Sequence, residues 1–313
     1  MKKLLLGVAM AALMAGTAHA EKVGVSMALF DDNFLTVLRN GIQSHADANG
    51  IEVQIEDAQN DVAKQLDQIK NFAASGVDAI IVNPVDTSAT QAMTDAAAAA
   101  NVPLVYVNRQ PVNLDTLPEK QAFVASNEVD SGTLETKEIC RLLKEAGKTE
   151  ANAYIIMGEL SNQAAVQRTQ DIHDVIDGSE CGVKINIIDK QTSNWKRDEA
   201  QNLMTNWLST NKPFDAVIAN NDESAIGAIQ AMKAAGIDMK SVLVGGVDAT
   251  QDALAAMQAG DLDVTVFQNA AAQGSGSLDA AIKLAKGEAL EKKVWVPFEL
   301  VTPANIDQYL KKN

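Results

Sequence analysis

The chain has 313 residues, 47% apolar and 21% charged, which excludes a disordered protein and leaves room for two packed domains. Its net charge of −15 argues against binding nucleic acid or an anionic membrane, because both need a basic face. The bland role of that charge is solubility.

The first stretch reads as an export signal. Lys2 and Lys3 precede an apolar run, Leu4 to Ala15, and Ala18-His19-Ala20 is a small-x-small cleavage site. Cleavage after Ala20 would leave a mature chain starting at Glu21, soluble and exported. The apolar run is too short to span a membrane, and no Cys follows it for lipid attachment.

From there strands and helices alternate. Strands are expected at 23–29, 51–57, 79–83, 102–107 and 121–125, with helices at 33–49, 61–75 and 87–100 between them. Asp61 and Thr87 suit helix N-caps. The pattern then starts again: helix 130–146, strand 152–158, helix 163–176, strand 183–189, helix 194–209, strand 214–219, helix 222–234, strand 241–246, helix 249–258 and strand 262–267. A last helix at 270–286 leads to VWVPFEL, read as one final strand. The fold class is α/β, with two doubly wound parallel-sheet units. No Pro- or Ser-rich tether separates them, so the chain should pass between units through short crossovers.

Catalytic and metal motifs are not found. His45 and His173 lie in expected helices with no ligand-spaced partner, so neither suggests a zinc site. Gly274-Ser275-Gly276-Ser277 lies inside an Ala-rich helix, not at a strand-to-helix elbow. Gly147-Lys148-Thr149 imitates the end of a phosphate loop, but Leu142 stands where that loop needs Gly. These observations favour a binder over an enzyme, with no metal and no cofactor. The two cysteines, Cys140 and Cys181, form one even pair in an oxidising compartment and read as a disulfide candidate, with two buried thiols as the alternative.

Polar residues gather instead where strands end. Phe30, Asp31, Asp32, Asn33 and Phe34 follow the first strand; Asn108 and Arg109 follow VPLVYV; Asn220 to Glu223 follow AVIA. Asp248 follows VLVGGV, and Gln268 and Asn269 follow VTVF. Arg168 and Trp195 lie near the starts of helices that follow strands. Ligands of open parallel sheets bind at that edge. Singly, each is an ordinary cap or turn residue. Together they mix donors, acceptors and aromatic faces, as vicinal hydroxyls on a ring require.

At these residues the sequence resembles the periplasmic sugar-binding proteins of the ribose/galactose type, the type I periplasmic binding proteins. The likeness covers the mature chain and rests on DAIIVNPVD, PLVYVNRQPV, ANNDESAIGAI and VGGVDATQDAL in that order. FDDNFLTVLRNG and GELSNQAAVQRTQDIHDVI look most like the subgroup binding myo-inositol and rhizopines, which are inositol-derived amines. The resemblance implies two Rossmann-like lobes with a ligand cleft between them. Three crossovers near Ala125–Asn127, Gln268–Asn269 and Pro297–Glu299 would form the hinge. It divides the chain into 21–125 plus 269–297, and 126–268 plus 298–313.

It also implies ligand contacts at Asp32, Phe34, Asn108, Arg109, Arg168, Trp195, Asn221, Asp248 and Gln268, with Phe30 beside them in an insertion-like position. Asp32 is preferred over Asp31 on this ground alone. Asn108 stands where ribose binders have Asp, and Leu35 where they have a second Phe, which argues against ribose. The expected protein is a monomeric periplasmic component of an ABC importer that hands a cyclic polyol or sugar to a membrane permease, with a chemoreceptor as a further partner. A DNA-binding regulator of this fold is disfavoured by the signal segment and the charge. An exported sugar-acting enzyme is disfavoured because no nucleophile is assembled.

Overall fold

The computed structural model describes residues 20–312, so the expected signal segment, apart from Ala20, lies outside the described residues. Among those residues, one sheet has six strands, all parallel: β11 (Lys293–Trp295), β5 (Gln121–Ala125), β4 (Leu104–Val107), β3 (Ala79–Val82), β1 (Lys22–Met27) and β2 (Glu52–Asp57). The central strands are apolar on both faces because helices cover both. Side chains alternate across a strand. Ile81 and Val105 therefore face α1 (Asn33–Asn49) and α9 (Ala270–Ala285), while Ile80 and Leu104 face α2 (Val62–Ser75) and α3 (Thr90–Ala99). Helices α1 and α9 cross closely: a Cβ on Gly274 would lie 2.5 Å from the Leu38 carbonyl oxygen. That contact explains the glycine in the Ala-rich stretch.

The second lobe repeats the plan. Strands β7 (Lys184–Thr192), β6 (Glu150–Met157), β8 (Ala216–Ala219) and β9 (Leu243–Gly245) are parallel. Isolated bridges attach β10 (Thr265–Phe267) to this sheet, and β12 (Glu299–Val301) pairs with β10 antiparallel. Helices α4 (Glu128–Glu145) and α5 (Gln163–Asp177) cover one face; α6 (Arg197–Leu208), α7 (Asp222–Ala234) and α8 (Gln251–Ala259) cover the other. Cys140 and Cys181 are joined as a disulfide under the α4–α5 face.

The chain passes between the sheets three times: from β5 to α4, from β10 to α9, and from β11 to β12. VWVPFEL is thus not one strand. Pro297 breaks it, and its halves belong to different sheets. Two expected helices also begin late, α6 at Arg197 and α8 at Gln251. The residues before them, Asn194-Trp195 and Asp248-Ala249, have positive φ, which a right-handed helix cannot accept. The cap expected at Thr87 falls one residue earlier. Asp86 accepts from the Ser88 amide at 2.8 Å, and Thr87 is freed to reach the other lobe.

Candidate functional site

The carboxyl ends of both sheets face one narrow cavity of about 50 Å³. Its wall contains Asp32, Phe34, Asn108, Arg109, Arg168, Trp195, Asn221, Asp248 and Gln268. Phe30 is the departure from the expected set. Its ring lies under the Arg39 guanidinium, 4.1 Å from ring centroid to carbon, and takes no part in the cavity wall. Leu35 does line it.

Asp32 combines two roles. It caps α1, accepting from the Leu35 amide at 2.8 Å, and it also lines the cavity. Burial pushes its carboxyl above the ordinary range, against the opposing pull of the Leu35 amide and Arg109. Arg109 is buried and donates to the Pro84 carbonyl at 2.9 Å. Burial lowers its affinity for the proton, and Asp32 and Glu159 offset this in part. Asn108 has φ 67 and is locked by its neighbours. It accepts from Asn83 Nδ2 at 3.3 Å and donates to Gln273 Oε1 at 3.2 Å.

Arg168 is the electrostatic centre of the second lobe's wall. It is 4% exposed, and its Nε and Nη2 donate to Glu128 at 2.7 and 3.1 Å. Nη1 donates to the Asn220 carbonyl at 2.7 Å and lies 4.0 Å from Asp248 Oδ1; Nη2 reaches Gln268 Oε1 at 3.3 Å. Burial disfavours its charge, but Glu128 and Asp248 outweigh that, so it holds its proton more tightly than usual. Asp248 shows the opposite balance. Burial raises its carboxyl well above the ordinary range despite Arg168, with Asp222, Asp32 and Glu128 adding repulsion.

Asp248 has φ 125 and Ala249 φ 52, backbone states that cost free energy and persist only when held. Here three consecutive amides are held. Asp248 N donates to the Val266 carbonyl at 2.8 Å, Ala249 N to Thr265 Oγ1 at 3.2 Å and Thr250 N to Asp222 Oδ2 at 2.8 Å. Asp222 is itself fully buried and titrates near pH 7 through desolvation, with the Thr265 and Thr250 hydroxyls opposing the rise.

Trp195 has φ 66 and lies flat on Gly158, where an added Cβ would sit 2.2 Å from the indole ring. Asn221 caps α7, accepting from the Ser224 amide at 3.1 Å, and donates to the Trp195 carbonyl at 3.3 Å. Glu128, Asn162, Glu223 and Thr250 also line the cavity. Of these, Glu223 was visible in the sequence as a strand-end acid. Glu128 carried no such mark, because its role depends on a partner 40 residues away.

The lobes touch across the cleft. Asn33 Nδ2 donates to Glu223 Oε1 at 2.7 Å and Asn60 Nδ2 to Glu159 Oε1 at 3.1 Å. Thr87 N and Oγ1 both donate to the Ser161 carbonyl, at 3.1 and 3.0 Å. The chain is therefore in a closed form, with polar latches at the lips of the cleft.

The sequence profile described as "Periplasmic binding protein domain" matches residues 23–289. The chain belongs to the periplasmic binding protein family. It is 63% identical over its whole length, and that of its relative, to a Rhizobium meliloti protein with a provisional rhizopine-binding name. An ABC transporter solute-binding protein from Bacillus halodurans, solved with bound myo-inositol, superposes with a TM-score of 0.87 at 38% identity, covering 95% of this chain and 100% of that one. The Caulobacter myo-inositol binding protein, bound to myo-inositol, gives a TM-score of 0.83 at 28% identity, covering 93% and 96%. The two-lobed α/β architecture is thus that of the type I periplasmic binding proteins.

Proposed function

We propose that this protein is the soluble receptor of an ABC importer and that its cleft holds an inositol-type ring, either neutral or carrying an amine. The observation that carries the reading is the convergence of nine side chains, from strand ends and from the loops and helices that follow them between Asp32 and Gln268, on one cavity between the lobes. Their carboxylate, amide and guanidinium groups provide both acceptors and donors, as a ring bearing hydroxyls all round demands. Phe34 and Trp195 supply apolar faces for the ring's C–H edges. The ring's amine has support of its own: burial raises the Asp32 and Asp248 carboxyls in the wall, and an ammonium group beside either would favour its ionised form.

We divide the chain into lobes 21–125 plus 269–297 and 126–268 plus 298–313, supported by the sheet to which each strand belongs. In this reading the mature chain, cut after Ala20, works in the periplasm as a monomer and does no chemistry on its ligand. Ligand bridging both walls favours the closed form by its differential affinity for it. The membrane permease then recognises closed, loaded protein.

A thermal-shift panel of myo-inositol, scyllo-inosamine, ribose, galactose and glucose tests the ligand class. A ligand at a hundred times its Kd adds about 2.7 kcal/mol of stability. We expect a shift with one or both cyclitols. A shift with ribose and none with either cyclitol would overturn the reading.

A further inference from the structure

The cleft continues beyond the inner cavity. A second space of about 720 Å³, partly open to solvent, lies outside it and shares Asp32, Arg109, Trp195 and Glu223 with it. Both lobes build its wall: Asp31 and Asn60 from the first, Glu159, Asn194, Lys196 and Asp198 from the second. Two of the latches between the lobes, Asn33–Glu223 and Asn60–Glu159, are formed by residues of this same wall. The lobes thus meet while a space larger than the inner cavity stays open between them.

We propose that this vestibule is a second subsite, which receives a hydroxylated substituent, such as a glycosyl group, carried by the ring in the inner cavity. The inference rests on the ring reading given above. A receptor for the bare ring alone gains from lips that seal, because excluded water strengthens every polar contact inside. These lips leave a gap instead, and the residues at the junction serve both spaces.

The chemistry of the wall suits a sugar. Carboxylate, amide and ammonium groups offer acceptors and donors, and Leu29 and Trp195 are the apolar members. Trp195 stands in the walls of both spaces, so one indole face is shared between the two rings. Its indole N–H is buried without a protein partner, which leaves it free to donate to the ligand at the junction. Its position is fixed by Gly158 beneath the ring and by Asn221, which holds its backbone carbonyl.

The experiment is calorimetric titration of the full mature chain. The probes are myo-inositol, scyllo-inosamine and mono-O-galactosyl-myo-inositols substituted at each ring oxygen in turn. At least one galactosylated isomer should bind within about tenfold of the better bare ring. Asp198→Trp places a large side chain in the vestibule from an exposed position in the first turn of α6. It should weaken that isomer by about tenfold or more and leave the bare ring within about threefold. If a bare ring binds and no galactosylated isomer does, the subsite is refuted. It is refuted equally if Asp198→Trp weakens both ligands to the same extent. Failure of both bare rings to bind would overturn the ring reading and this inference with it.

Discussion

Replacing Asp248 by Asn should stabilise the empty protein and weaken its hold on ligand. The carboxylate is 5% exposed and lies 4.0 Å from Arg168. At an effective dielectric near 20, that attraction is worth roughly 4 kcal/mol. Against it stands a desolvation cost of several kcal/mol for the buried ion. Asp222, Asp32 and Glu128 add repulsion, and the balance favours the neutral acid, since the carboxyl is raised well above its ordinary range.

Asn keeps the shape and tolerates the positive φ better than most residues. Arg168 is not orphaned, because Glu128 still holds it through two hydrogen bonds. The sign with pH follows. An acid whose folded-state pKa is raised destabilises the fold progressively as pH climbs from its unfolded pKa, about 3.9, through its folded one. Asp248→Asn therefore gains nothing near pH 4, and about 1–3 kcal/mol, the usual cost of an imperfectly satisfied buried polar group, once the wild-type carboxylate has ionised. Urea unfolding of both proteins between pH 4 and 8.5, without ligand, measures this. At a pH where the wild-type carboxylate has ionised, affinity for the ring should fall roughly ten- to a hundredfold, because a hydrogen bond to a charged group is lost. A variant that is less stable at every pH, or whose gain does not depend on pH, would refute the reasoning.

Gly158→Ala should push the Trp195 ring off its seat, since the new methyl would meet the indole at 2.2 Å. Affinity should drop and any ligand-induced change in Trp fluorescence should shrink, while the unfolding midpoint moves little; unchanged affinity would remove Trp195 from the site. Replacing Cys140 and Cys181 together by Ala opens a loop of sequence separation 41. By chain entropy this costs roughly 4 kcal/mol, readable by urea unfolding. Ligand affinity should persist, because the bridge lies in the α4–α5 core and not in the cavity wall. Asn33→Ala removes one latch, and scattering from the unliganded variant should show a more open particle than wild type.

The site was legible in the sequence to the extent that strand ends are. Asp32, Asn108, Asn221, Asp248 and Gln268 each follow an apolar β-branched run, and a parallel sheet puts such positions on one edge. Phe30 met the same criterion, yet Arg39, on the next turns of α1, takes its ring away from the cavity. Local position cannot foresee such competition. Glu128 and Thr250 carry no local mark, because their partners Arg168 and Asp222 lie far along the chain.

By itself the sequence determined the alternation of strands and helices, the double winding, and the polar edges. These follow from hydrophobic period and turn chemistry within windows of about 20 residues. Tertiary structure alone decided that VWVPFEL splits between two sheets, and that Trp195 and Asp248 sit in left-handed backbone. It also decided that one arginine, Arg168, balances the acids of a whole wall. Each of these outcomes depends on groups brought together from distant parts of the chain. Burial then makes their mutual charges count, and no local pattern records that.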